Sequence, residues 1–196
     1  KVALHGSVRA IPEATLLAER DRAYALVQQA YSDPRYLPLL AYAQSELTSL
    51  RPPSGQGECT GHRALVFDDA AAVYLQRLAQ LLREIASLAH QNVTVVIESI
   101  PPGATATLRA LIGDPNGETQ GTLATFPNRA RGRFLYEVKL NGYMPAIGDL
   151  NLAKSTDGHV RCALVPAAAP SNLSTAVVPS PLNGSPMTTS CTVSAN

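Results

Sequence analysis

The spacing of the apolar residues changes near residue 92, and this change constrains the fold more than any other feature of the sequence. Before that point, apolar residues recur every three or four positions, which is the spacing of an amphipathic helix. Residues 93–100 are instead rich in β-branched side chains and too few for a helix, which is typical of a strand. The sequence therefore predicts an α+β chain whose helical part precedes its sheet part.

The helical part, residues 1–91, is predicted to contain about three helices. Pro12 suits the first turn of one helix, and Pro34 suits the start of a second. The third is expected to begin after Asp68 or Asp69, where a carboxylate would cap it, and to carry a Leu-rich apolar face. Three helices joined by connections of this length form a small bundle or hairpin.

The sheet part, residues 92–165, is predicted to contain five or six short strands separated by turns. Residues 114–117 combine Asp, Pro, Asn and Gly, and Asn141-Gly142 is a pair typical of hairpins. Residues 128–133 are rich in arginine and are expected to form a basic loop. Short strands with turns at this spacing are typical of a small antiparallel β-sandwich.

The tail, residues 166–196, has no charged side chain and is rich in Ser, Thr, Pro and Ala. Its prolines disfavour a helix, because proline lacks the backbone donor and fixes one backbone torsion. This composition is consistent with a flexible linker or with an extended segment. The apolar residues spaced along the tail favour an extended segment that packs on another surface.

The net charge and the hydropathy exclude two kinds of partner. The chain has 16 basic and 15 acidic side chains, so the whole protein is not attracted to nucleic acid. No apolar run approaches the roughly 20 residues of a membrane helix, so no transmembrane segment is expected. Because the chain begins with Lys1 rather than Met, we expect it to be processed or excised.

The three cysteines, Cys59, Cys162 and Cys191, show no C-x-x-C spacing, which supports neither a redox motif nor a zinc ribbon. We expect Cys162 to pair with Cys191, which would fasten the tail to the last strand and contribute on the order of 3 kcal/mol. Cys59 would then be unpaired, but it could also pair with either of the others or with another chain. A disulfide needs an oxidising compartment, which predicts an extracytoplasmic location: the periplasm, the cell surface or the exterior.

Cys59 and His62 are close enough in sequence for the imidazole to activate the thiol as a nucleophile. A turn-rich connection between two helices explains the same residues more simply. The sequence contains no other nucleophile motif, and its four histidines lack metal-ligand spacing. We therefore expect no catalytic residue, no metal and no cofactor.

Three arginines alternate with other residues at the centre of the sheet part. If Arg129, Arg131 and Arg133 lay on one strand, they would share a face and could contact a polyanion such as a sugar acid or a phosphate. A solvated loop is the simpler interpretation of the same three charges.

Three motifs in the sheet part resemble the PEGA domain, a bacterial β module named for a Pro-Glu-Gly-Ala signature that often occurs as Pro-Pro-Gly-Ala. Here that signature follows a β-branched strand, a Gly-Thr step comes next, and an aromatic strand then ends in Gly-Tyr. The resemblance covers residues 93–152 and departs from the family in a longer segment before the Gly-Thr step and in the arginine-rich loop. The motif residues are Pro101, Pro102, Gly103, Gly121, Gly142 and Tyr143.

The resemblance implies a non-catalytic β fold of envelope or secreted proteins, in which the Pro and Gly residues shape a turn and Tyr143 fills the edge of the sandwich. We therefore expect a non-enzymatic protein that acts in assembly or adhesion, contacting its own copies, other proteins, peptidoglycan or a polysaccharide. Two alternatives are a small enzyme that uses Cys59 and His62, and a regulatory module whose helices bind a partner.

Overall fold

The computed structural model describes residues 11–53, 62–155, 157–167 and 189–195. Within these ranges three helices precede eight strands, so the predicted α+β fold with the helices first is confirmed. The helices are α1 (Glu13–Ala30), α2 (Leu37–Ser49) and α3 (His62–Leu88), and a short 3-10 helix (Pro34–Tyr36) precedes α2. The strands are β1 (Asn92–Ile100), β2 (Thr105–Ala110), β3 (Glu118–Gly121), β4 (Ala124–Ala130), β5 (Arg133–Lys139), β6 (Ala146–Asn151), β7 (Asp157–Ala163) and β8 (Ser190–Ala195).

The predicted helix starts are confirmed for the first two helices and wrong for the third. Pro12 directly precedes α1, and Pro34 begins the 3-10 helix, where the Asp33 carboxylate accepts a hydrogen bond from the backbone N–H of Arg35 at 2.9 Å. Helix α3 already begins at His62. Asp68 and Asp69 therefore lie inside the helix and cannot cap it, because the apolar residues 64–67 extend the helix ahead of them.

The three helices share one apolar cluster, and a smaller second cluster of Leu16, Ala71 and Tyr74 lies between α1 and α3. Leu39 and Tyr42 of α2 are fully buried in the shared cluster, next to Ile85 of α3 and Val27 of α1. Each fully buried Leu or Ile contributes roughly 1.5–3 kcal/mol relative to an exposed one. The predicted Leu-rich apolar face of α3 is confirmed from Leu78 to Leu88, whereas Val73, one turn earlier in the helix, is exposed.

The eight strands form two four-stranded sheets with the orders β4-β1-β7-β8 and β3-β2-β5-β6. All neighbouring strands are antiparallel except β1 and β7, which are parallel. Alternate residues of β1 are buried, and Val95 and Ile97 meet Phe126, Phe134 and Val138 in the layer between the sheets. Alternation of this kind is what packs two sheets face to face.

Two of the strands, β3 and β4, were not predicted from the sequence. Strand β3 is polar and is held beside β2 by its backbone ladder and by a hydrogen bond between the hydroxyls of Thr107 and Thr119, 2.8 Å apart. Strand β4 contains Pro127, which an edge strand accommodates because one side of its backbone needs no partner. The predicted basic loop is thus reduced to the short turn between β4 and β5, at Arg131 and Gly132.

The end of the tail is ordered and extended, as predicted. Strand β8 pairs antiparallel with β7 over its whole length, from Ser190 opposite Ala163 to Ala195 opposite Gly158. Residues 168–188 lie outside the described part of the chain. Of the helices in the described ranges, none is long and apolar enough to cross a membrane.

Helix α2 joins the helical part to the sandwich by packing against β2 and β5. The turn at Gly132 approaches the backbone of Pro38 so closely that a methyl group on Gly132 would overlap the Pro38 carbonyl. Arg133 donates a hydrogen bond to the Ser45 hydroxyl at 2.8 Å, and Ala153, after β6, is buried in the helical cluster. The two parts therefore share a packed junction.

Candidate functional site

The last strand is held to the sandwich by a disulfide. Cys162 on β7 is 0% exposed and lies directly opposite Cys191 on β8, with 4.2 Å between their Cα atoms. This is the predicted pair, and it fastens the end of the uncharged tail to the last strand of the sandwich. Since the two cysteines are 29 positions apart in the sequence, the bond closes a long loop and stabilises the folded chain by about 3 kcal/mol.

Strand β8 differs from the three other edge strands in that it carries neither a charged residue nor a proline. Edge strands expose unpaired backbone groups, and proteins usually protect them with charges, prolines or bulges. Strand β3 has Glu118, β4 has Pro127 and Arg129, and β6 has Asp149. Strand β8 has only Ser, Cys, Thr, Val and Ala, so its free edge lacks this protection.

The same edge exposes an apolar side chain. Val193 of β8 lies opposite the fully buried Val160 and therefore on the inner face of the sheet, yet it remains 46% exposed because no other strand of the described ranges covers it. The β8 edge thus combines free backbone groups with an uncovered apolar surface.

A cleft of about 300 Å³ lies at the opposite edge of the sandwich. The 3-10 helix and the start of α2 form one side of it, and the ends of β2 and β4 form the other. We call it the arginine cleft, because Arg35, Arg109 and Arg129 line it from three different elements. Leu37 and Phe134 are among the residues that provide its apolar wall. Small-ligand sites commonly combine such a wall with a few polar groups, at the boundary between two packed parts.

Both carboxylates of the arginine cleft already have partners within the protein. One oxygen of Glu118 accepts a hydrogen bond from the Gln120 amide at 2.7 Å, and the other pairs with Arg129. The Gln120 hydrogen bond, followed by the Arg129 guanidinium, holds the pKa of Glu118 below its ordinary value. The oxygens of Asp114 accept the backbone N–H groups of Gly117 at 2.9 Å and Ala110 at 3.4 Å.

Arg109 has no carboxylate partner in the described part of the chain. Among the described residues its guanidinium reaches only the Pro115 carbonyl, at 3.5 Å, and Arg109 is half-buried. Arg35 on the opposite wall pairs with Asp33 at 3.6 Å, donates to the Tyr36 hydroxyl at 2.8 Å and lies over the Tyr36 ring. Of the three arginines of the cleft, Arg109 is therefore the one without a carboxylate partner among the described residues.

The three arginines predicted to contact a polyanion do not share a face. Arg129 lies in the arginine cleft with its Glu118 partner, whereas Arg133 pairs with Asp149 on the other side of the junction. Arg131 is in the turn between the two strands, so the alternation expected of one continuous strand does not apply. A polyanion contact by all three is therefore not supported by a common surface.

The arginine cleft could not be recognised from the sequence. Arg35 and Arg109 are far apart in the chain and neither belongs to a motif, so only the packing of the 3-10 helix beside the sheet edge brings them together. Of the three cleft arginines, the sequence indicates only Arg129 as a candidate contact, and it groups Arg129 with Arg131 and Arg133 rather than with Arg35 and Arg109.

The predicted motif residues lie at turns of the sandwich. Gly103 has φ +94° in the turn between β1 and β2, and Gly142 has φ +80° between β5 and β6. Pro101 and Pro102 precede Gly103 in its turn, and Gly121 ends β3. Tyr143 is partly buried against the sandwich core and forms a β-bridge with Pro166.

The predicted Cys/His pair cannot be placed. Cys59 lies outside the described residues, and His62 is the first residue of α3, with a side chain that is also outside them. Among the side chains that are described, no group of three or more His, Cys, Asp or Glu residues is arranged to hold a metal ion.

Comparison with known proteins leaves the family open: no protein-family model matches the sequence, and no curated protein matches it significantly. The resemblance to the PEGA domain therefore rests on the motif residues quoted above.

Proposed function

We propose that this chain is a non-enzymatic, extracytoplasmic structural protein that assembles through its sandwich, with β8 of one copy pairing with β8 of a second copy. The observation that carries the proposal is the unprotected β8 edge, the only edge strand of the described sandwich without a charge or a proline. The resemblance of residues 93–152 to the PEGA domain adds support, since such modules are non-catalytic parts of envelope or secreted proteins.

The composition of β8 suits a second copy as the partner. A twofold axis would place the two strands antiparallel, so that their free N–H and C=O groups complete one continuous sheet. No like charges would meet, because Ser190–Ala195 has none. The half-exposed Val193 would be covered at the same time, adding apolar burial to the backbone hydrogen bonds that give strand addition its affinity.

The disulfide supports both the location and the mode of assembly. A bond between Cys162 and Cys191 persists where the surroundings are oxidising, which supports the periplasm, the cell surface or the exterior as the location. It also keeps β8 in register, so the strand is ready to accept a partner. Adhesion to peptidoglycan or a polysaccharide is a further role of the same assembled surface.

A charge placed on the outer face of β8 tests the assembly. Thr192→Glu faces Arg161 within its own chain, so the variant should fold, but pairing of two β8 strands would bring two such glutamates close together on the same face of the joined sheet. We expect the wild-type mass, measured by sedimentation across a range of concentrations, to rise toward that of a dimer, and the variant to stay monomeric. The matched control is Thr125→Glu, another exposed threonine, on the other edge of the same sheet, which should behave like wild type. A wild-type protein that is monomeric throughout, or a Thr192→Glu variant that still dimerises, would contradict the proposal.

A further inference from the structure

The arginine cleft has the position and the size of a small-ligand site. It lies where the helical part meets the sandwich, and its volume of about 300 Å³ is at the lower end of the range for small-molecule pockets. It is at the β3–β4 edge of the molecule, away from β8. A ligand bound there would therefore not compete with pairing through β8.

One arginine of the cleft lacks a carboxylate partner among the described residues. Arg35 pairs with Asp33 and Arg129 pairs with Glu118, while the oxygens of Asp114 already accept hydrogen bonds from backbone N–H groups. Arg109 is left with a single long contact to a carbonyl. An anion is what a half-buried guanidinium without a carboxylate favours most.

The geometry of the walls restricts which anion fits. Arg109 comes from β2 and Arg35 from the 3-10 helix, so the two cations approach the cleft from different parts of the fold. The planar guanidinium binds carboxylate and phosphate oxygens in pairs, which favours a compact oxyanion over a diffuse one. Leu37 and Phe134 form an apolar wall beside the arginines, against which the uncharged part of a small polar molecule would lie.

We infer that the arginine cleft binds a compact oxyanion, a carboxylate or a phosphate, carried on a molecule no larger than a single sugar. Arg109 is the principal contact, and Arg35 and Arg129 flank it. The ligand class follows from the unneutralised guanidinium and from the limited volume, and it requires no covalent chemistry.

Calorimetric titration at low ionic strength, where such contacts are least screened, tests the inference. The probes are glucuronate, glucose 6-phosphate and inorganic phosphate, with glucose as the uncharged comparison. We expect saturable binding of at least one anionic probe and none of glucose. Binding of glucuronate alone would assign a carboxylate as the ligand group, and binding of the phosphates alone would assign a phosphate. No saturable binding of any anion, or equal binding of glucose, would overturn the inference.

Two variants locate the binding in the cleft. Arg109→Gln should lower the affinity for the bound anion by about tenfold or more, since hydrogen bonds to charged groups contribute about 1.5–3 kcal/mol. Arg35→Gln removes an exposed charge from the opposite wall and should weaken binding even if the Arg109 variant folds poorly. Arg22→Gln is the matched control, because it removes the same charge from an exposed position on α1. Equal affinity in Arg109→Gln and wild type, or an equal loss in Arg22→Gln, would show that the cleft is not the site.

Discussion

At the scale of single residues, Gly132 decides how closely the helices approach the sandwich. It has φ +156° in the turn between β4 and β5, and its α-carbon lies against the backbone of Pro38 at the start of α2. Any side chain there would have to displace main-chain atoms rather than a flexible side chain, so the close approach depends on glycine.

Gly132→Ala is accordingly expected to destabilise the fold by about 3 kcal/mol, the combined cost of overpacking and of an unfavourable backbone torsion. Gly142→Ala is the matched control, because Gly142 also has a positive φ, +80°, but has open space where a methyl group would lie. The control should cost only about 1 kcal/mol. Urea unfolding of both variants measures the difference, and equal losses would show that the contact with Pro38 does not matter.

Tyr42 is the main residue through which alkaline pH should act on the helical part. Its side chain is buried between α2 and α3 and donates a 2.6 Å hydrogen bond to the Glu84 carboxylate. Burial, followed by this hydrogen bond, raises the pKa of Tyr42 above its ordinary value of 10.0. Because the folded state favours the neutral phenol, its contribution to stability is complete below pH 10 and is lost as the pH rises further.

Wild-type protein should therefore lose stability steeply above pH 10, and Tyr42→Phe should lose less. Near neutral pH the same variant should be less stable than wild type by about 1 kcal/mol, because the hydrogen bond is absent. Some alkaline dependence should remain, since burial also raises the pKa values of Tyr74 and Tyr136. Urea midpoints measured across this pH range check the expectation. Tyr24→Phe, which removes another hydroxyl hydrogen bond but retains Tyr42, should keep the full alkaline loss.

At the scale of elements, the sequence predicts the helices and strands whose own residues show a helical or alternating apolar pattern. Helix α3 repeats Leu at helical spacing, and β1 alternates buried β-branched residues, so both are recognisable in isolation. Strand β3 is a polar tetrapeptide without a strand pattern of its own, and it is extended because it pairs with β2. Strand β4 contains Pro127, a residue that usually argues against a strand in the sequence. The arginine cleft is hidden for the same reason, since Arg35 and Arg109 meet only after the elements have packed.

Strand β8 is the element whose place depends most on one covalent bond. Replacing both Cys162 and Cys191 by alanine should reduce the free energy of unfolding by about 3 kcal/mol, because the loop between them is no longer closed. Amide hydrogen exchange in β8 should accelerate more than in β5, which the bond does not touch. Unchanged exchange in β8 would mean that its ladder with β7 holds the strand without the disulfide.

At the scale of the whole molecule, the two parts that the sequence separates near residue 92 are joined by shared packing. Ala153 from the sandwich is buried among helical residues, and Arg133 of β5 contacts Ser45 of α2. Composition and periodicity do not reveal this junction, because its contacts are single residues without a pattern.

We expect the helices and the sandwich to unfold as one unit. Hydrogen exchange should give peptides from α2 and β5 opening free energies that agree within about 1 kcal/mol, and Gly132→Ala should lower both. Helical amides that open at much lower free energy than those of the sandwich would instead show two independent domains, divided where the sequence alone divides them.

The parallel pairing of β1 with β7 has a consequence for the order in which the chain folds during synthesis. The four strands of the β3-β2-β5-β6 sheet all lie between Thr105 and Asn151, so that sheet can assemble from near neighbours. Strand β1 is made before them but must wait for β7 before its second long ladder can form, and contacts between distant segments form slowly. The interior of the sandwich therefore closes only after the chain as far as β7 has left the ribosome.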